Sequence, residues 1–218
     1  MRELAPGIWH WTAPHPEWHE GEPWDRHVSS YAIEAGRLLL FDPLAVPDEL
    51  LEHARDPAIV LTAPWHERDA RRMVDEVGTP VYTPRPDTAE DLMAAYGITA
   101  EQAGDGSPDL RWLLEGGIGE AHVFAAGDRL DVGVDAFPGQ KRNDMVLWIE
   151  ACHAVVAGDT LVDFGSGLEI NPRWLEMAGG RREDVAAGVA PLLDLPVDHV
   201  LLSHGGPTDR AALAAALS

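Results

Sequence analysis

Apolar positions along the chain fall into short runs, most of them closed at once by small or polar residues. Residues 7–12, 28–34 and 37–41 read as strands, the last two as a hairpin turning at Ala35-Gly36. Between the first two lies a stretch rich in Pro, His and Trp, residues 13–26, which reads as a loop. Residues 46–55 suit a short helix, 58–62 a strand, and 67–77 an amphipathic helix with Ala70, Met73, Val74 and Val77 on one face. A strand at 80–83 and a helix at 88–96 follow. Periodicity weakens over 98–117, a loop with one helical turn. Strands return at 121–125, 129–137, 145–150 and 153–157. Helices at 182–193 and 209–217 enclose a strand at 199–202.

Strand-rich stretches thus alternate twice with helix–strand–helix stretches. That order suits two sheets packed face to face with helices outside, an α/β four-layer αββα sandwich, better than a simple alternating parallel sheet. No repeat, low-complexity tract or linker divides the chain, so residues 1–218 form one domain. Hydrophobic residues at 45% and charged residues at 24% are globular proportions.

Charge narrows the partners. The formal net charge of −21 repels phosphate backbones and anionic lipid surfaces, so nucleic acid and membrane are not expected partners and a small molecule is. Cys152 is the one cysteine, which excludes an intrachain disulfide and a cysteine-built zinc site. Within a strand it would sit buried, with His153 on the opposite face. The N-terminal residues lack the apolar stretch of a secretory signal, and the cytoplasm is the expected location.

Candidate chemistry gathers where strands end, at residues 62–69, 137–144, 158–160 and 203–206. In that order these loops resemble the motif series of the metallo-β-lactamase superfamily, which includes hydroxyacylglutathione hydrolases and lactonases. Leu38-Leu39-Leu40-Phe41-Asp42 is similar to the strand that ends in an acidic residue beneath the site. Ile59-Val60-Leu61-Thr62 is similar to the strand leading into the His-x-His-x-Asp-His ligand motif. Phe137-Pro138-Gly139-Gln140 resembles the Pro-Gly-His turn, Ala157-Gly158-Asp159-Thr160 the loop of the bridging aspartate, and Ser203-His204-Gly205-Gly206 the loop of the last histidine.

The departures carry the functional reading. Ala63 and Trp65 stand where the resemblance puts the first two histidines, Glu67 where it puts the aspartate, Arg68 where it puts the final histidine, and Gln140 in place of the turn histidine. Alanine and tryptophan offer no lone pair, and arginine brings positive charge into a cation's place. The resemblance therefore implies a hydrolase fold with a degenerate dinuclear site, no cofactor, and a cleft lined by Trp65, His66, Glu67, Gln140, Asp159 and His204. The alternative is a hydrolase of thioesters, lactones or phosphoesters with one divalent ion, zinc, iron or manganese. A one-residue slip would give that ion His66, Asp69, Asp159 and His204. Histidines His15, His19 and His27 could reach the site from the first loop. Trp9, Trp11, Trp18 and Trp24 read equally as an aromatic lid or as a plug, and residues 140–144 as a solvated turn.

Overall fold

A computed structural model describes every residue except Pro23, Arg55 and Gly179. Seven strands pair in chain order: β1 (Arg2–Ala5), β2 (Ile8–Pro14), β3 (His27–Glu34), β4 (Leu38–Phe41), β5 (Ala58–Val60), β6 (Val81–Pro84) and β7 (Ala121–Phe124). Pairing is antiparallel as far as β4 and parallel from β4 to β7. A second sheet begins with β8 (Arg129–Leu130), β9 (Val134–Pro138), β10 (Met145–Ile149) and β11 (Ala154–Val156). β12 (Leu161–Val162) and β13 (Glu169–Ile170) form a separate ribbon, and β14 (His199–Leu201) returns beside β11, giving the order β14-β11-β10-β9-β8.

The two sheets face each other across one apolar core that includes Tyr31, Phe41, Val60, Leu147 and Val156. Leu40, Ile59 and Leu61 on the outer face of the first sheet pack against Met73 of the helix Ala70–Val77. Val146, Val155 and Val200 on the outer face of the second pack against Val185 and Val189 of the helix Arg182–Val189 and Leu213 of the helix Arg210–Leu217. These layers are the αββα sandwich, and burial on both faces explains why β4, β5 and β11 are uninterrupted apolar runs. Among the described residues no helix is long and apolar enough to cross a membrane.

Several expectations change. Residues 129–137 are two strands folded on each other, because the turn before Val134 reverses the chain at Gly133 (φ 78°). Residues 98–117 hold two short helices, Ala100–Ala103 and Arg111–Leu114. Val77 is exposed, the helix ending at the left-handed Gly78. Cys152 lies in a 3-10 turn, Glu150–Cys152, not in a strand, and it is partly buried with its thiol pushed up to about 11 by burial. His153 turns outward to stack on Trp148 and pair with Asp198. β1 and the helix Pro172–Ala178 have no counterpart in the sequence reading. That helix matters, because it carries one wall of the cleft described next.

Candidate functional site

The ends of β4 and β5 in one sheet and of β11 and β14 in the other converge on one rim. Past β4 the chain turns at Asp42, which takes a left-handed backbone at φ 44°. Past β5 it runs through Thr62 into a 3-10 turn, Pro64–His66, opened by an extended Ala63 with Pro64 at its first position. Arg68 follows, also left-handed at φ 42°. From the second sheet, Gly158 lets the loop after β11 press close, since a Cβ there would sit 2.8 Å from Asp144 Oδ1. The loop after β14 closes in the same way at Gly205, where a Cβ would meet Asp163 at 2.9 Å.

Asp42 lies at the bottom, buried. Its carboxylate accepts from the Thr62 backbone N–H at 2.8 Å, from Thr62 Oγ1 at 2.6 Å and from Ser203 Oγ at 3.2 Å. His66 Nδ1 is 3.0 Å from Asp42 Oδ2, while its Nε2 is 3.3 Å from Asp159 Oδ1. Both ring nitrogens thus face carboxylates, a geometry that suits the imidazolium. Burial alone would lower the His66 pKa, but Asp42 and Asp159 outweigh it and hold it up at about 9. Burial would likewise raise both acids, yet His66 and its neighbours hold Asp42 below the usual carboxylate range and Asp159 well below it. Arg68 Nη1 donates to the carbonyls of Asp42 at 2.7 Å and Ser29 at 3.2 Å. The floor therefore carries two negative charges, Asp42 and Asp159, and two positive ones, Arg68 and His66.

Trp65 Nε1 donates to Asp159 Oδ2 at 2.9 Å, tying the two sheets' loops across the cleft. Asp159 Oδ1 is 3.4 Å from His204 Nε2, but neither imidazole contact to Oδ1 is aligned as a hydrogen bond, so Oδ1 and His204 Nδ1 are buried without a hydrogen-bond partner. Asp144 lies behind, accepting from Thr160 Oγ1 at 2.5 Å; burial and then the Asp159 charge push its carboxyl up to about 7. Above the floor opens a cavity of about 460 Å³. Its walls are aromatic: Trp24, whose ring meets His204 edge-on at 5.6 Å, Phe164, and Trp174, tilted against Trp65 at 5.8 Å.

Trp65, His66, Asp159 and His204 thus come together, joined by His15 from the first loop, which burial and then the Arg68 charge lower to about 4. Glu67 does not line the cavity; it accepts from the Leu110 N–H and from Trp112 Nε1, pinning the loop before the helix Arg111–Leu114. Asp69 also points elsewhere, to Arg72 at 2.9 Å and to the Val46 N–H. Gln140 lines a neighbouring cavity and donates to the Asn171 carbonyl. Its turn is not solvated: Asn143 and Asp144 are buried, and Lys141 Nζ lies over the rings of Trp174 and Trp65 at 2.9 and 4.7 Å. Of the four early tryptophans, only Trp24 reaches the cavity, as wall and not as plug. Trp11 is buried on Leu44 O, and Trp18 Nε1 donates to Trp24 O. Sequence reasoning missed Trp174 and Arg173, because nothing in a lone local pattern marks an outlying helix as a wall, and Phe164, which sits in a turn between two short strands. Among the described residues no group of three or more His, Cys, Asp or Glu is placed to hold a metal ion.

Stability should follow the His66 charge. A pKa raised from 6.5 to about 9 by folding contributes stabilisation that is complete below pH 6.5 and lost as pH rises through about 9. Asp144, raised from 3.8 to about 7, acts in the same direction over a lower window. Urea unfolding is expected to show a loss of up to roughly 3 kcal/mol between pH 6.5 and 9, and a much flatter profile in His66→Gln. An unchanged slope in the variant would show that His66 is neutral in the folded protein.

No family model and no curated protein matches this chain. Solved structures do. The chain is similar to TTHA1623 in a di-iron-bound form, at 22% identity over 89% of this chain and 95% of that one, with a TM-score of 0.56. It is similar to ST1585 from Sulfolobus tokodaii, an archaeal metallo-β-lactamase superfamily protein, at 14% identity over 97% and 84% of the two chains, with a TM-score of 0.60. A metallo-β-lactamase from Pontibacter korlensis is 16% identical over 99% of this chain and 95% of that one, again with a TM-score of 0.60. Identities this low speak for architecture alone. Sheet order, layering and these likenesses agree that the chain has the metallo-β-lactamase fold.

Proposed function

We propose that the cleft binds a small molecule without a metal ion, Arg68 and protonated His66 supplying positive charge where the resemblance puts a metal pair. The carrying observation is the Arg68 guanidinium, held on the carbonyls of Asp42 and Ser29 at the position where the ligand motif would put a histidine. Asp42 and Asp159 are the two carboxylates left to attract a cation, and both are already balanced from within. A dication entering there would have to expel the guanidinium or sit beside it and an imidazolium, which at these separations costs several kcal/mol. The residues present do not fit a metal pair: Ala63 and Trp65 offer no lone pair, and Gln140 is turned onto the Asn171 carbonyl. On this reading the chain is a non-catalytic, ligand-binding descendant of a hydrolase fold.

One arrangement favours the alternative of a single zinc, iron or manganese ion. His66 Nε2 and His204 Nε2 both approach Asp159 Oδ1, so three of its four residues already meet. The fourth, Asp69, is committed to Arg72. Elemental analysis separates the two. Protein purified without chelator is expected to carry well under one equivalent of zinc, iron or manganese, with a Tm unmoved by EDTA. A stoichiometric ion that is lost in His204→Ala would replace the metal-free reading with the hydrolase.

A further inference from the structure

We infer that the ligand of this cleft is a neutral, flat heteroaromatic molecule whose edge carries an N–H donor, and not an anion. The inference rests on the metal-free reading and names the ligand class of the same site. Shape comes first. About 460 Å³ walled by Trp24, Trp65, Phe164 and Trp174 suits a molecule of two or three fused rings, stacking on indole faces at little cost in rotamer entropy.

Charge comes second. On the floor Asp42 and Asp159 meet Arg68 and His66, two against two. At the rim Glu22 already accepts from Trp24 Nε1 and pairs with His19, and Glu17 lines the same cavity as the one other guanidinium of the lining, Arg173, which lies over the Phe164 ring. One layer further out, Lys141 is opposed by Asp159, Asp144 and Asp87. The lining carries no net positive charge for an anion, and a cation would meet Arg68. Low dielectric makes any uncompensated third charge costly.

Hydrogen bonding comes third. Asp159, with its side chain 7% exposed, keeps Oδ1 free of any hydrogen bond, and the ionised oxygen is an acceptor. His204 turns Nε2 toward that carboxylate, and its Nδ1 is also buried and unpartnered. The orphaned Asp159 oxygen asks for a donor. Arg68 Nε, an orphaned donor of a residue lining the same cavity, asks for a ring nitrogen or carbonyl. An amino group next to a ring nitrogen supplies both.

The test uses three matched bicyclic probes with the full-length protein at pH 8, read by tryptophan fluorescence and calorimetry. They are an aminoquinazoline with its amino group beside a ring nitrogen, quinoline, and a quinoline carboxylate. The aminoquinazoline is expected to bind at least about tenfold more tightly than either of the others. Asp159→Asn should erase that preference. His204→Phe, which keeps a ring between Trp24 and Phe164, provides the same readout if the first variant does not fold. Trp174→Ala should weaken all three probes together by about tenfold. Tightest binding by the carboxylate, or equal binding by quinoline, would overturn the inference while leaving a metal-free binding cleft intact. Binding by none of the three at millimolar concentration would also overturn it. A stoichiometric metal in the same preparation is the separate result that would remove the underlying reading.

Discussion

Asp42→Asn is expected to be the most damaging single substitution in the cleft, lowering the free energy of unfolding by about 3–5 kcal/mol. Asparagine preserves the side-chain volume and tolerates the left-handed backbone at this position, where φ is 44°. Its carbonyl can still accept one of the two Thr62 bonds. The change therefore removes little but charge. His66 then keeps a buried proton with Asp159 as its one remaining counter-charge, and must release it or open the floor to water. A domain of this size has a total stability of about 5–15 kcal/mol, so the loss would be plain in urea midpoints and in Tm. Combining Asp42→Asn with His66→Gln should cost less than the sum of the two, because the second change removes the charge that the first leaves unpaired. Strict additivity, or a loss under about 1 kcal/mol, would show that packing and not the ion network holds the floor.

The second large effect belongs to Arg68. Arg68→Ala takes two hydrogen bonds from the carbonyls of Ser29 and Asp42 and leaves Asp42 and Asp159 facing His66 alone. A loss of about 3 kcal/mol is expected, within the range for breaking one side of a buried charge cluster. Its sign toward cations is the sharper readout. The variant floor has one negative charge in excess and keeps two imidazoles beside Asp159, so zinc should raise its Tm by several degrees through linkage. The parent protein should show no such shift. A parent stabilised by zinc as strongly as the variant would mean that Arg68 does not stand in for a cation.

Much of the site is legible in the sequence. Asp42, Asp159 and His204 follow apolar runs that end at one rim, and the order of the loops placed them together. Trp65 and Arg68 could be named because they break a ligand pattern at defined positions, and His66 because a one-residue slip brings it into that pattern. The spacing went wrong for Glu67 and Asp69. Pro64–His66 coils into a 3-10 turn, and from there Glu67 swings toward Leu110 and Trp112 while Asp69 turns to Arg72. Gln140 failed for another reason: its side chain is drawn to the Asn171 carbonyl, a partner 31 residues away.

Layering was readable because burial leaves a one-dimensional trace: a strand covered on both faces must be apolar at every position, and a helix covered on one face repeats that demand with its own period. Those demands are local, so residues 28–41, 58–62, 70–77 and 145–157 announced their elements unaided. What the chain order could not express is which charges meet. Trp65 and Asp159 are 94 residues apart and Ser203 and Asp42 161 apart, yet each pair shares a hydrogen bond. Whether Arg68 points into solvent or substitutes for a metal depends on the through-space sum of Asp42, His66 and Asp159, and that sum exists only once the two sheets have closed.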